Sequence, residues 1–131
     1  MIKYQYTILY VADIIRTLSF YENTFGFKKR FITDENDYAE LETGSTIIAF
    51  ASKDLAKSNL NNGFIEVDLQ QKPFGIELAF VTDNVEALVS AAIQNGAQVY
   101  EEIKVKPWGQ TVAYIRDING FLIEICSPMG S

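Results

Sequence analysis

The chain has 131 residues, of which 48% are hydrophobic and 13% aromatic, and its formal net charge is −6 at pH 7. A chain of this length makes about one domain and buries roughly two thirds of its unfolded surface, enough for a core without disulfides. The acidic excess would repel nucleic-acid phosphates and anionic lipids, and no segment is apolar for the ~18 residues of a membrane span, so we expect neither nucleic acid nor a membrane as a partner.

The first part of the chain predicts a strand, a helix and three further strands. Residues 4–11 alternate between two apolar faces, which is typical of a strand covered on both sides. Asp13 is the expected N-cap of a helix that ends at Gly26, where glycine favours a left-handed C-cap. A second strand begins near Phe27, and residues 38–51 form two alternating runs around a glycine turn, which predicts a hairpin.

The middle of the chain is polar and predicts a connection between two modules. Residues 52–74 show only a weak short strand at 64–69 and otherwise favour a linker and mobile loop. We therefore expect one domain over 1–131, built from module one (1–52), a linker (53–74) and module two (75–131).

The last part of the chain repeats the order of the first. A strand at 76–81 leads to Asp83 as the expected N-cap of a helix that stops at Gly96. Three strands follow, at residues 98–103, 111–115 and 121–126. Asn119-Gly120 is a strong turn signal between the last two.

An internal duplication links these two parts. Val11, Asp13, Leu18 and Gly26 recur 70 residues later as Val81, Asp83, Leu88 and Gly96. A repeated module can pair its sheet with its twin and leave a cleft for a ligand.

The chain lacks histidine and has one cysteine, Cys126. Without histidine, Ser-His-Asp and Cys-His nucleophilic chemistry is excluded, and one cysteine excludes an intrachain disulfide. Cys126 follows an apolar strand residue and is expected to be a buried hydrophobe. These features favour a reducing cytoplasm, and the alternating N-terminal residues favour no signal peptide.

Two βαβββ units resemble the vicinal oxygen chelate superfamily, which includes glyoxalase I, bleomycin-resistance proteins, extradiol dioxygenases and methylmalonyl-CoA epimerase. The most specific matches are LYVADIIRTLSFYENTFGF at 9–27 and PWGQTVAYIRDINGFLIEI at 107–125. The resemblance implies an α+β fold in which each module forms a curled mixed sheet. It also implies a homodimer for a two-module chain of this length.

The same resemblance implies where a metal would bind. The superfamily's metal enzymes take ligands from four strand positions, which fall on Tyr6, about Ala49, Glu77 and Glu124, and only Glu124 keeps the residue type. A transition metal favours imidazole or thiolate ligands, which this set lacks. We therefore expect no metal and no cofactor. The alternative is a divalent metal such as nickel, zinc or manganese on Glu77 and Glu124.

Glu77 and Glu124 stand in otherwise apolar runs, and each has two interpretations. If both face one cleft, their repulsion raises one pKa and favours a cationic ligand. Alternatively, Glu124 forms a salt bridge with Arg116 or a lysine, and Glu77 faces solvent on an edge strand. The short basic runs, including Lys104 with Lys106, are expected to be solvated faces.

Aromatic residues complete the candidate ligand site. Tyr6 and Tyr10 belong to a tyrosine ladder that lines the cleft in the superfamily's orientation or forms a dimer contact, and Tyr38 joins this set. Trp108, in the loop before the last strand pair, either offers a stacking face to a planar ligand or plugs the end of the core.

The leading functional hypothesis is a metal-independent, dimeric, non-enzymatic protein of the bleomycin-resistance type. It would sequester a small cationic or aromatic molecule, such as a drug or antibiotic. The alternative is a glyoxalase-type enzyme, a lactoylglutathione-lyase-like lyase or isomerase or a dioxygenase relative, that uses Glu77 and Glu124 as metal ligands or as a base. A third hypothesis is a scaffold that has lost its site and binds a partner.

Overall fold

The computed structural model describes residues 1–129 and divides the chain into two compact units. The first unit covers residues 1–66, and the second begins at Val67. The boundary falls inside the segment that the sequence assigns to a linker.

The first unit contains a four-stranded mixed sheet and two helices. Its elements are β1 (Tyr6–Val11), α1 (Ile14–Phe25), β2 (Lys28–Ile32), β3 (Tyr38–Glu42), β4 (Ile47–Ser52) and α2 (Lys53–Asn59). The strand order is β1-β4-β3-β2, with β1 parallel to β4 and the other pairs antiparallel. The predicted strand, helix and three strands are confirmed.

Local sequence sets both ends of α1 and the face that it buries. The Asp13 side chain accepts a hydrogen bond from the backbone N–H of Arg16, and Gly26 has a φ of 73°, so both predicted caps are present. Tyr21 is fully buried, and its ring centroid lies 5.0 Å from that of Phe50 on β4. α1 therefore covers the sheet face that carries Phe50.

The prediction for residues 52–74 was wrong in two places, because α2 forms at its start and residues 64–69 form no strand. Ser52 caps α2 by accepting from the N–H of Leu55, and Ala56 is its buried residue. With so small a buried face, α2 has no apolar periodicity for sequence analysis to detect. Lys53 and Lys57 both pair with the Glu66 carboxylate, at 3.3 and 3.7 Å.

The second unit repeats this topology with one helix. Its elements are β5 (Glu77–Val81), α3 (Val85–Gln94), β6 (Gln98–Val105), β7 (Thr111–Arg116) and β8 (Leu122–Cys126). The strand order is β5-β8-β7-β6, and β5 runs parallel to β8. The α+β fold with two βαβββ modules is therefore confirmed.

The second copy departs from the first at its helix. The predicted N-cap Asp83 was wrong, since the Asn84 side chain accepts from the N–H of Ala87 at 3.0 Å. Asn and Asp cap helices almost equally well, so the repeat pattern favoured the wrong neighbour. No helix among residues 1–129 is long and apolar enough to cross a membrane.

Candidate functional site

Strand register relates Tyr6 in the first unit to Glu77 in the second. Tyr6 lies opposite Ile47, the first residue of β4, and Glu77 lies opposite Leu122, the first residue of β8. The two residues hold equivalent positions in sheets of the same topology. The choice of Glu77 over its neighbour for this position therefore agrees with the strand pairing.

Ala49 and Glu124 are equivalent in the same way. Ala49 lies opposite Ile8 on β1, and Glu124 lies opposite Ala79 on β5. Ala49 offers no donor atom, so the acidic position on the last strand of the module is present in the second unit and missing from the first.

The candidate site lies on the face of the second sheet that is opposite α3. Residues in register share a face of a sheet, and Glu124 pairs with Ala79 on β5 and Tyr114 on β7. Its neighbours Ile123 and Ile125 point to the other face and are fully buried. α3 packs against this sheet, and its apolar residues cover that other face.

Glu77 and Glu124 form a carboxyl pair on this face. Glu77 as a residue is exposed, but partial burial of its carboxyl group raises the pKa of that carboxyl. A hydrogen bond with Glu124 and the negative charge of Glu124 raise the same pKa further. The charge of Glu124 therefore opposes the ionisation of Glu77.

Tyr114 and Cys126 surround Glu124 and were both missed as site residues. The Tyr114 hydroxyl donates to Glu124 Oε1 at 3.0 Å, and burial followed by this hydrogen bond and the Glu124 and Glu77 charges raises the pKa of Tyr114 to about 12. Burial, a hydrogen bond with Glu124 and the charges of both glutamates raise the pKa of the Cys126 thiol to about 11. Only the β7–β8 register brings Tyr114 to Glu124, and no local motif signals it.

Arg116 does not pair with Glu124, so that interpretation was wrong. The guanidinium is buried, and its Nε donates to the carbonyl oxygen of Gly120 at 2.9 Å. Its Nη atoms donate to three carbonyl oxygens before β5, those of Asp68 (3.1 Å), Leu69 (3.3 Å) and Gln71 (2.5 Å). Among residues 1–129, no lysine or arginine nitrogen lies within 4.0 Å of a carboxylate oxygen of Glu77 or Glu124.

The first sheet holds its own carboxylate beside the position of Ala49. Glu40 lies opposite Ala49 and is 6% exposed. Its oxygens accept from Arg30 Nε at 3.2 Å and from the Tyr38 hydroxyl at 2.7 Å. The pKa of Tyr38 is raised by burial, by this hydrogen bond, and by the charges of Glu40 and Tyr6. Tyr6 and Tyr38 therefore share one neighbourhood.

Tyr10 and Trp108, the other two predicted aromatic residues, make contacts away from Glu40. The Tyr10 ring packs edge-to-face on Phe64, with centroids 4.8 Å apart. Trp108 is 63% exposed, and its Nε1–H donates to Gln110 Oε1 at 2.9 Å. The interpretation of Trp108 as a plug for the core is therefore wrong, because its indole is held at the surface.

The donors do not fit the metal set that the superfamily implies. Tyr6 offers a phenol, Ala49 offers nothing, and the raised pKa of Glu77 makes its carboxyl a poorer ligand. Within the described residues 1–129, no three His, Cys, Asp or Glu side chains gather into a group that could hold a metal ion. Such a set would be weak for nickel or zinc.

The sequence matches a family model described as a glyoxalase-like domain over residues 4–130. The chain belongs to the glyoxalase-like domain family. This glyoxalase-like chain is similar to a glyoxalase-related enzyme from Fulvimarina pelagi, with a TM-score of 0.82 and 17% identity over 98% of this chain and 89% of the other. It is also similar to a glyoxalase/bleomycin resistance protein/dioxygenase family enzyme from Burkholderia phytofirmans PsJN, with a TM-score of 0.72 and 21% identity over 94% and 96% of the two chains.

The chain is also similar to part of a longer plant protein. It comes from Brassica oleracea var. gemmifera, is provisionally named a lactoylglutathione lyase, and is 26% identical over 127 residues. The alignment covers 94% of the glyoxalase-like chain but 43% of the plant protein. The chain therefore spans less than half of that relative.

Proposed function

We propose that this glyoxalase-like chain binds a small organic cation without a metal and sequesters it rather than converting it. The observation that carries the proposal is the carboxyl pair Glu77 and Glu124 on the face opposite α3. The pair has no basic partner within 4.0 Å among residues 1–129. A bound ammonium would let both carboxyls ionise and would relieve their repulsion.

The neighbours of the pair suit it to this task. Tyr114 holds Glu124 through its hydroxyl, which fixes one carboxyl in place before a ligand arrives. Preorganised groups bind at a lower entropic cost. The net charge of −6 adds a long-range attraction for cations. Trp108, in the same unit as the pair, remains a proposed aromatic contact.

Calorimetric titration with octylamine, a simple monocation, tests the proposal. We expect binding that falls at least about tenfold in the Glu77→Gln, Glu124→Gln double variant, since a hydrogen bond to a charged group is worth about 1.5 kcal/mol or more. The matched control is Asp34→Asn with Glu35→Gln, which removes the same charge from two exposed residues. Equal affinity of the two double variants would contradict the proposal.

We also propose that the protein acts as a cytoplasmic homodimer. Its support is the resemblance to two-module members of the superfamily, together with exposed apolar residues on the first sheet, where Ile8 is 42% and Phe31 44% exposed. Sedimentation equilibrium should give twice the mass of 14.8 kDa, and a monomer at micromolar concentration would contradict it.

A lactoylglutathione-lyase type of activity is the second candidate, favoured by the 26% identical plant relative. In this case Glu77 of the Glu77–Glu124 pair would serve as the base. The raised pKa of Glu77 would bring the proton affinity of this carboxyl closer to neutral pH. Production of lactoylglutathione after addition of nickel, zinc or manganese, lost in Glu77→Gln, would favour this candidate over sequestration.

A further inference from the structure

A cavity of about 300 Å³ lies between β6 and β7 in the second unit. Its lining combines both signs of charge with one apolar and one aromatic residue: Glu101, Glu102, Lys104, Lys106, Val112 and Tyr114. The sequence had predicted the two lysines to be a solvated face, and the proposed function does not use them.

Tyr114 joins this cavity to the carboxyl pair. Its ring lines the cavity while its hydroxyl donates to Glu124. The register continues across the sheet, because Glu101 lies opposite Tyr114 and Lys104 lies opposite Val112. The cavity and the carboxyl pair therefore lie on one face. β8 and β6 stand two strands apart, and Lys104 lies two residues further along the strands than Glu124, because Lys104 is opposite Val112 and Val112 is opposite Cys126. Lys104 and Glu124 are therefore about 12 Å apart at the usual strand spacing and rise.

Backbone hydrogen bonds hold the loop at the lysine end of the cavity. The Lys106 N–H donates to the Gln110 carbonyl oxygen at 2.8 Å, and the Gly109 N–H donates to the Lys106 carbonyl oxygen at 2.8 Å. The register of β6 shifts between Glu101 and Lys104, which allows neighbouring acidic residues to line the cavity. Among residues 1–129, neither lysine ammonium lies within 4.0 Å of a carboxylate.

We propose that this cavity is the anion-binding half of the site and that the ligand is zwitterionic. Its ammonium lies at Glu77 and Glu124, and its carboxylate or phosphate lies at Lys104 and Lys106, with Lys104 about 12 Å from Glu124. Glu101 and Glu102 oppose a simple anion at the same place, so the anionic end binds only when the ammonium end anchors the molecule. The inference rests on the proposed function and adds the class of ligand to it.

Three probes of one chain length test the inference: aminooctanoate, octylamine and octanoate. The expected order of affinity is aminooctanoate, then octylamine, with octanoate weakest. Lys104→Gln with Lys106→Gln should lower the affinity for aminooctanoate about fivefold, the size of one exposed ion pair, and leave octylamine unchanged. Lys28→Gln with Lys29→Gln removes the same charge from two exposed lysines of β2 and should change neither.

The outcomes separate this inference from the proposed function. If octylamine binds through Glu77 and Glu124 but aminooctanoate binds no more tightly, or the Lys104 and Lys106 variant has no effect, the zwitterion inference is overturned and cation binding stands. If neither amine binds, both fail. The lysine variants should unfold at the same temperature as the wild type. A loss of affinity then does not result from a loss of fold.

Discussion

Glu77 and Glu124 lie on one face of neighbouring parallel strands, two positions out of register, and the charge of Glu124 raises the pKa of Glu77. The diagonal arrangement places two acidic groups on one face, and the second ionisation must overcome the charge of the first. This relationship makes the pair sensitive to both protons and cations.

The pair should make stability fall as pH rises. The folded state raises the pKa of Glu77 above its usual value of 4.5, so the unfolded chain ionises first. Unfolding therefore becomes easier from about pH 4.5 up to the raised pKa, and the loss is complete above it. Thermal unfolding of the wild type and of Glu77→Gln, compared from pH 4 to 8, should show a steeper fall for the wild type. Parallel curves would contradict the coupling.

Replacement of Tyr114 by phenylalanine should lower the stability of the protein. The hydroxyl donates to Glu124 Oε1 at 3.0 Å, so its loss leaves that carboxylate oxygen without this donor. The free energy of unfolding in urea should fall by about 1 kcal/mol, the net value of one hydrogen bond. Tyr100→Phe, at an exposed residue of β6, is the control, and equal stability of the two variants would contradict this role of the hydroxyl.

Arg116 should contribute more to the free energy of unfolding than an exposed arginine does. Arg116→Lys keeps the charge but cannot reach the same carbonyl oxygens of Gly120 and the segment before β5. We expect a loss of about 2 kcal/mol in urea unfolding, because buried acceptors lose their donors. Arg16→Lys, at an exposed residue, is the matched control, and equal stability of the two variants would contradict a structural role for the Arg116 hydrogen bonds.

Cys126 should be unreactive in the folded protein. It is 3% exposed, and its thiol pKa is raised to about 11, so thiolate is scarce at neutral pH. Modification by a thiol-reactive disulfide reagent should be slow at pH 8 and become fast in urea. Rapid modification without denaturant would contradict the burial of this thiol.

The caps and turns account for most of what the sequence could predict. Asp13 and Gly26 bound α1 as expected, since capping depends on a few adjacent residues. The Asn119-Gly120 turn is also present, and the Asp117 carboxylate accepts from the backbone N–H groups of residues 119, 120 and 121. Such features are local, so one sequence is enough to find them.

The features that sequence analysis missed depend on contacts between distant segments. Tyr114 reaches Glu124 ten positions away through strand register, and Arg116 reaches Gln71 across 45 positions. The helix α2 was missed for a different reason, because Ala56 is its one buried residue and gives no periodic signal. Glu77 and Glu124 could be named from the sequence because they fall on the ligand positions that the resemblance implies and stand among apolar neighbours.

Carbon-13 NMR of the Glu77 and Glu124 carboxyl groups, titrated with pH in the absence and presence of saturating octylamine, tests cation binding by this pair most directly. An ammonium on the pair favours its ionised form, so we expect the raised pKa to fall toward 4.5 and protons to be released on binding. Titration curves that stay the same when octylamine is bound would contradict the account.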